Sequence, residues 1–211
     1  MDLLLKEISQ ELINGEAERV VELVRSAVKK SIPAKTILED ALIAGMNVVG
    51  ERFKEHEVFL PEVLMSAKAM DSAVEEIRPL LASNAVRSLG KVVLGTVQGD
   101  LHDIGKNLVS IMLKGAGVEI IDLGKDVSPE KFVETAKIEN ASVIGMSALL
   151  TTTMPVMSRV VGLLREQGLS GKIKTVVGGA PLTREWAMEM GADGYCGDAI
   201  GAVEVVKQLI V

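Results

Sequence analysis

Residues 91–97 read KVVLGTV and residues 100–105 read DLHDIG, and the junction between these two stretches decides the fold. The first is β-branched and apolar, as a buried parallel strand should be. The run that follows, KNLVSIMLK over 106–114, carries apolar residues at helical spacing. His102, one of two histidines in the chain, therefore sits on a strand-to-helix loop at the carboxyl end of a strand. Open α/β sheets place their ligands at that edge. Asp100 can supply the carboxylate that fixes an imidazole's tautomer and raises its basicity as a metal ligand. The hexapeptide also reads as a polar turn, with Asp103 or Asp100 capping the helix and His102 solvated.

Downstream the alternation of strand and helix continues. Apolar strand runs lie near 91–97, 117–122, 141–147, 172–177 and 193–196, with helix-length segments between them and a final helix from about Asp198. The pattern predicts an α/β domain with a five-stranded, doubly wound parallel sheet of flavodoxin-like order. In that order the first and third strands flank the topological switch point. SVIGM (142–146) leads into Ser147-Ala148-Leu149, and IKTVV (173–177) leads into Gly178-Gly179. The DLHDIG loop and the Ser-x-Leu segment thus converge on one crevice.

Upstream of Lys91 the chain reads as helix. Helices are expected over about Asp2 to Ile13, Glu16 to Ile32, Pro33 to Phe53, and from Leu60-Pro61 to about Leu81, an antiparallel four-helix bundle. The polar stretch SNAVRSLG (83–90) reads as a linker. The expected organisation is a helical bundle over 1–82, a linker over 83–90 and an α/β domain over 91–211.

A chain of 211 residues can bury about 70% of its unfolded surface, so it needs no disulfides. The single Cys196 reads as a packed core thiol and fits a reducing, cytoplasmic location. No amino-terminal signal pattern is recognisable, and the longest apolar runs fall short of the ~20 residues of a membrane span. Net charge is −6, shared as −4 on residues 1–90 (11 basic, 15 acidic) and −2 on 91–211 (12 basic, 14 acidic), and aromatics are 2%. Neither a basic footprint nor stacking residues are there for nucleic acid. One Cys and two His are too few for a conventional zinc site. A lone histidine can anchor a metal whose other ligands come from a macrocycle.

Asp-x-His-x-x-Gly, Ser-x-Leu and Gly-Gly follow one another with forty-one residues between Gly105 and Ser147 and twenty-eight between Leu149 and Gly178. This arrangement resembles the cobalamin-binding domain of methionine synthase and of corrinoid methyltransferase proteins. The resemblance implies that His102 is the lower axial cobalt ligand, in place of the cofactor's own base. Asp100 would then accept a hydrogen bond from the other imidazole nitrogen, and proton uptake by the pair would offset charge as cobalt cycles between Co(I) and methyl-Co(III). Thr153 stands where methionine synthase extends the pair with a serine; the additional methyl is a departure. The same hydroxyl reads equally as a helix N-cap before Met154-Pro155.

The resemblance further implies that Asp103, Gly105, Ser147, Leu149, Thr151, Gly178 and Gly179 hold the cofactor and line a slot for its nucleotide tail. The plainer reading makes the glycines strand-to-helix turns, with Asp103 and Lys106 solvated or capping. Tyr195 edges the tail pocket or is a buried strand residue. The segment 50–70 (GERFKEHEVFLPEVLMSAKAM) resembles the helical cap over the upper corrin face of methionine synthase. Phe53 and Leu60, with Val63 as a third, fall where that cap shields the cobalt–methyl bond; otherwise they belong to the bundle core. His56 reads as a surface residue and Trp186 as structural.

No segment here resembles a site for folate, homocysteine or a methyl donor. The resemblance therefore implies a stand-alone corrinoid protein, a methyl carrier and not a complete enzyme, loaded with cobalamin or a related corrinoid. It would accept a methyl group from a substrate methyltransferase of the methanol, methylamine or aryl-methyl-ether type. A corrinoid:acceptor methyltransferase would pass the group to a folate- or thiol-type acceptor, and a reductive activase would restore oxidised cobalt. Two rivals are a cobalamin-dependent sensor, expected to carry a DNA-binding module, and the cobalamin subunit of an adenosylcobalamin mutase, expected to have a different lid. No nucleic acid and no membrane is expected among the partners.

Overall fold

A computed structural model describes residues 3–83 and 89–210. The chain divides into two compact units, residues 1–87 with 115–117, and residues 88–114 with 118–211.

The first unit is helical. Helix α1 (Leu3–Ile13) buries Leu4, Leu5, Ile8 and Leu12, a stripe at the spacing of one helical face. It ends at Asn14-Gly15, where Gly15 takes φ 78 and Glu16 N–H returns to the Glu11 carbonyl. Helix α2 (Ala17–Lys29) stops short of the expected Ile32 because Ser31 turns to φ 61. The expected third helix is continuous but not uniform. It begins as α3 (Ala34–Thr36), widens to a π-helical stretch (Ile37–Ile43) and returns to α geometry as α4 (Ala44–Lys54). Helix α5 (Leu60–Ser83) runs one residue into the expected linker; residues 84–88 of that linker lie outside the described residues. Ile8, Leu12, Val20, Val24, Ile37, Leu42 and Ile77 are fully buried in the bundle core. Burial of each such side chain contributes about 1.5–3 kcal/mol.

The second unit is a five-stranded, all-parallel sheet in the order β2-β1-β3-β4-β5. The strands are β1 (Lys91–Thr96), β2 (Glu119–Asp122), β3 (Val143–Ser147), β4 (Lys174–Gly178) and β5 (Gly194–Cys196). Between and after them lie α6 (Ile104–Gly115), α7 (Pro129–Ile138), α8 (Pro155–Glu166), α9 (Arg184–Glu189) and α10 (Ala199–Ile210). Strand alternation sends neighbours to opposite faces. Val93, Ile144 and Val177 pack with Phe132 of α7, Met157 and Leu164 of α8 and Ala187 of α9. Val92, Val143 and Val176 pack with Leu113 of α6 and Val206 of α10. Covering both faces explains why the strands are apolar runs with little alternation. The order reverses between β1 and β3, so the loops leaving those two strands open the crevice of a doubly wound sheet.

Candidate cofactor site

Three loops leave the carboxyl ends of neighbouring strands: 97–103 after β1, 148–154 after β3 and 179–183 after β4. Their register is tight, since Thr96 pairs with Ser147 and Ser147 with Gly178.

Asp100 lies at the bottom of the crevice and is fully buried. One oxygen, Oδ1, faces its own loop: it accepts the His102 backbone N–H at 3.0 Å and lies 2.8 Å from the ring Nδ1. The other, Oδ2, faces β3's loop and accepts the N–H groups of Leu149 at 2.7 Å and Leu150 at 3.1 Å, and the Thr153 hydroxyl at 3.0 Å. Burial by itself raises a carboxyl pKa. The N–H groups of His102 and Leu149, the imidazole and the Leu150 N–H outweigh it and hold Asp100 well below the usual carboxylate range.

The facing carboxylate assigns the imidazole its tautomer: Nδ1 carries the proton and donates to Asp100, which leaves the Nε2 lone pair unengaged by that bond. The His102 side chain is half exposed. Its backbone is fixed from beneath, where the Thr96 hydroxyl donates to the His102 carbonyl at 3.0 Å. Leu101 and Leu149, from these two loops, and Ile104, the first residue of α6, all expose their side chains. A single nitrogen donor flanked by apolar surface suits a flat organic ring that brings its own metal.

Thr153 resolves one alternative in the sequence. Its hydroxyl turns to Asp100 and to the Leu150 carbonyl, 2.8 Å away, while the N-cap of α8 is Met154, which makes no side-chain cap. Gly179 has φ 134, and a Cβ there would fall 1.9 Å from the Ala148 carbonyl oxygen. Only glycine permits that approach of the β4 loop to the β3 loop. Gly105 is the opposite case: a Cβ built on it meets no atom within 4 Å. Gly105 is exposed, so nothing blocks a flat ring from approaching its backbone beside His102, and the residues present fit a corrin. Ser147 and Gly178 end paired strands in the same crevice, and Thr151 is exposed on the β3 loop. Asp103 lends its carbonyl to Asn107 N–H in the first turn of α6.

Lys106 corrects the sequence reading. It is neither solvated nor capping: it is only 3% exposed, and its ammonium lies 2.6 and 2.8 Å from the two Asp122 oxygens. The Tyr195 hydroxyl donates to the Leu182 carbonyl, and Arg184 sits over the ring. Cys196 is half buried, its thiol pushed up to about 11 by burial and by Asp198, which makes it a poor nucleophile. Trp186 packs against the core as a structural residue should. In the helical unit Phe53 and Leu60 are half buried, Val63 is fully buried and His56 is exposed. Sequence reasoning missed Thr96 and Asp126, which hold the loop backbone; a threonine inside an apolar strand was the available signal for the first. Among the described residues no three His, Cys, Asp or Glu side chains cluster as a metal site, and no helix is long and apolar enough to cross a membrane.

A B12 binding domain family matches residues 90–207, and a second B12 binding domain family matches residues 4–78. The chain is 44% identical over 208 residues to dimethylamine corrinoid protein 3 of Methanosarcina acetivorans, covering 99% of this chain and 97% of that one. It is 45% identical to the dimethylamine corrinoid protein of Methanosarcina barkeri, with coverages of 98% and 97%. Among solved structures it is similar to the methanol:cobalamin methyltransferase complex MtaBC of Methanosarcina barkeri, with TM-score 0.90 and 33% identity over 99% of this chain and 80% of that one. A cobalamin-binding protein from Desulfitobacterium hafniense matches with TM-score 0.80 and 29% identity, covering 99% and 98%. The chain belongs to the B12-binding family of corrinoid proteins.

Proposed function

We propose that this protein carries a methyl group on corrinoid cobalt between a substrate-specific methyltransferase and an acceptor methyltransferase. The observation that supports it most is the single imidazole tied through Nδ1 to a buried carboxylate at the switch point of the sheet. When bound, the corrinoid supplies a cobalt centre that accepts and releases the methyl group.

The chain's own residues do the rest. His102 would offer Nε2 to the cobalt, and Asp100 holds the ring in that orientation. Asp100 and Thr153 form a hydrogen-bonded route along which a proton at Nδ1 is shared. Ser147, Leu149, Thr151, Gly178 and Gly179 would line the slot for the nucleotide tail, and Asp103 and Gly105 would help hold the cofactor at the His102 loop. We assign Phe53 and Leu60, with Val63, of the helical unit to the residues that serve the cofactor. We take residues 1–82 as the cap, 83–90 as the linker and 91–211 as the corrinoid domain.

The names of the relatives favour a methylamine-type donor, with dimethylamine the first to try. A folate- or thiol-type acceptor enzyme and a reductive activase complete the set of partners, within the cytoplasm. Neither the mutase nor the sensor reading gains support from relatives that are corrinoid proteins and methyltransferase complexes.

Reconstitution tests this reading. The wild-type protein should bind corrinoid with an imidazole-ligated spectrum and support methyl transfer when mixed with a dimethylamine methyltransferase and a thiol acceptor enzyme. His102→Ala should lose that spectrum and bind more weakly. An unchanged spectrum and affinity in the variant would sink the assignment.

A further inference from the structure

We propose that one bulge at the end of β2, residues 122–127, holds the start of the His102 loop and the first turn of the helix after it, and that within it Asp126 is a positioning residue for the Asp100–His102 pair. The inference rests on the reading of His102 as the cobalt ligand.

Parallel pairing of β1 with β2 runs in register from Lys91↔Glu119 to Leu94↔Asp122. It resumes at Val97↔Val127. Three steps along β1 are therefore matched by five along the β2 side, and two residues are extruded. Gly124 at φ 80 and Asp126 at φ 57 absorb the excess. Aspartate is among the few non-glycine residues that tolerate this left-handed region. Asp122 Oδ1 accepts Gly124 N–H at 2.8 Å, Thr96 N–H donates to the Gly124 carbonyl at 2.9 Å, and Val127 N–H donates to the Thr96 carbonyl at 3.0 Å. The bulge is thus a defined structure, and bulges beside functional sites re-aim side chains.

Asp126 is aimed at the start of the His102 loop. Its Oδ1 accepts Gly99 N–H at 2.7 Å, and its own N–H donates to the Asp100 carbonyl at 3.1 Å. The two bonds clasp the Gly99–Asp100 backbone from outside. The first turn of α6, into which the loop runs, is tied to the same bulge by the buried Lys106 ammonium on Asp122. Asp100 must reach His102 on its own loop and Leu149, Leu150 and Thr153 on the next. Constellations of this kind function only within about 0.5 Å of their geometry. The clasp sets the height of Asp100 and so the aim of Nε2.

Two substitutions separate the carboxylate from the backbone. Asp126→Gly keeps the positive φ and removes the acceptor; Asp126→Asn keeps an acceptor oxygen. In corrinoid-free protein, the expected result is that the Gly99 amide exchanges about tenfold faster in Asp126→Gly. In the same variant the His102 ring nitrogens should lose their single-tautomer NMR signature. Asp126→Asn should match wild type in both. Reconstituted Asp126→Gly should show a reduced imidazole-ligated fraction. An Asp126→Gly protein with the wild-type tautomer signature and Gly99 exchange overturns the proposal. If that variant does not fold, the wild-type Gly99 amide decides: protection supports the clasp and loop-like exchange overturns it. The corrinoid-free readouts bear on Asp126 alone, whereas a reconstituted wild type without an imidazole ligand bears on His102 alone.

Discussion

Oδ1 of Asp100 receives both the backbone N–H and the ring Nδ1 of His102, at 3.0 and 2.8 Å. One oxygen atom thereby fixes the histidine's main chain and its tautomer together. The second oxygen, held by three donors from the β3 loop, joins that histidine to the neighbouring strand end. Five donors on one buried carboxylate leave little freedom for the imidazole.

Asp100→Asn should therefore be costly. An amide offers one acceptor oxygen and turns two of its own donors toward N–H groups that already need acceptors. The expected loss is about 1–3 kcal/mol of stability, read by urea denaturation of corrinoid-free protein. Corrinoid affinity or methyl turnover should fall about 10–100-fold. A variant as stable and as tight-binding as wild type would remove the carboxylate from the site's design.

Acid should separate the same two proteins differently. The folded Asp100 carboxyl is depressed, so its contribution is fully present above the unfolded pKa of ~3.9 and is lost as pH falls below that toward the folded value. The stability gap between wild type and Asp100→Asn should hold steady at about pH 6 and shrink at about pH 3. A gap that stays constant across that window would contradict the assigned direction.

Thr153 offers a finer test of the hydroxyl. Thr153→Val keeps the shape and deletes one donor to Asp100, at an expected cost of about 0.5–1.5 kcal/mol, while Thr153→Ser keeps the donor. Urea midpoints should rank serine near wild type and valine below it. If valine ranks with serine, the bond from Thr153 to Asp100 contributes nothing.

Two glycines should respond in opposite ways. Gly179→Ala forces a Cβ into the Ala148 carbonyl at a backbone angle foreign to alanine, and should lower stability by about 3 kcal/mol or more. Gly105→Ala meets no atom within 4 Å, lies in the first turn of α6 and should fold as well as wild type. Its effect should appear only in corrinoid binding, measured by titration. Equal stability of the two variants would contradict the close approach at Gly179.

The order of elements and the loop carrying His102 were legible because they depend on local pattern: apolar runs, helical spacing and strand-end position. Asp100 and Thr153 were placed together only by the family resemblance, and the structure brings them within hydrogen-bond reach. What could not be read was non-local. Lys106 follows Gly105 on what looks like a polar helix face, and nothing near it in sequence reveals that Asp122 waits at the end of another strand. Asp126 is one acid in a polar loop until the two-residue bulge turns it onto Gly99. The π-helical stretch from Ile37 to Ile43 leaves the apolar spacing of Ile37, Ala41, Leu42 and Met46 close enough to an α pattern to hide it.

The central claim is that His102 Nε2 ligates cobalt. The most direct measurement is electron paramagnetic resonance of the Co(II) protein, prepared with ordinary histidine and with histidine carrying the heavy nitrogen isotope. The account predicts that the axial nitrogen splitting changes from a three-line to a two-line pattern on labelling. A three-line pattern that persists in the labelled protein would mean that the cofactor keeps its own base, and would contradict the account.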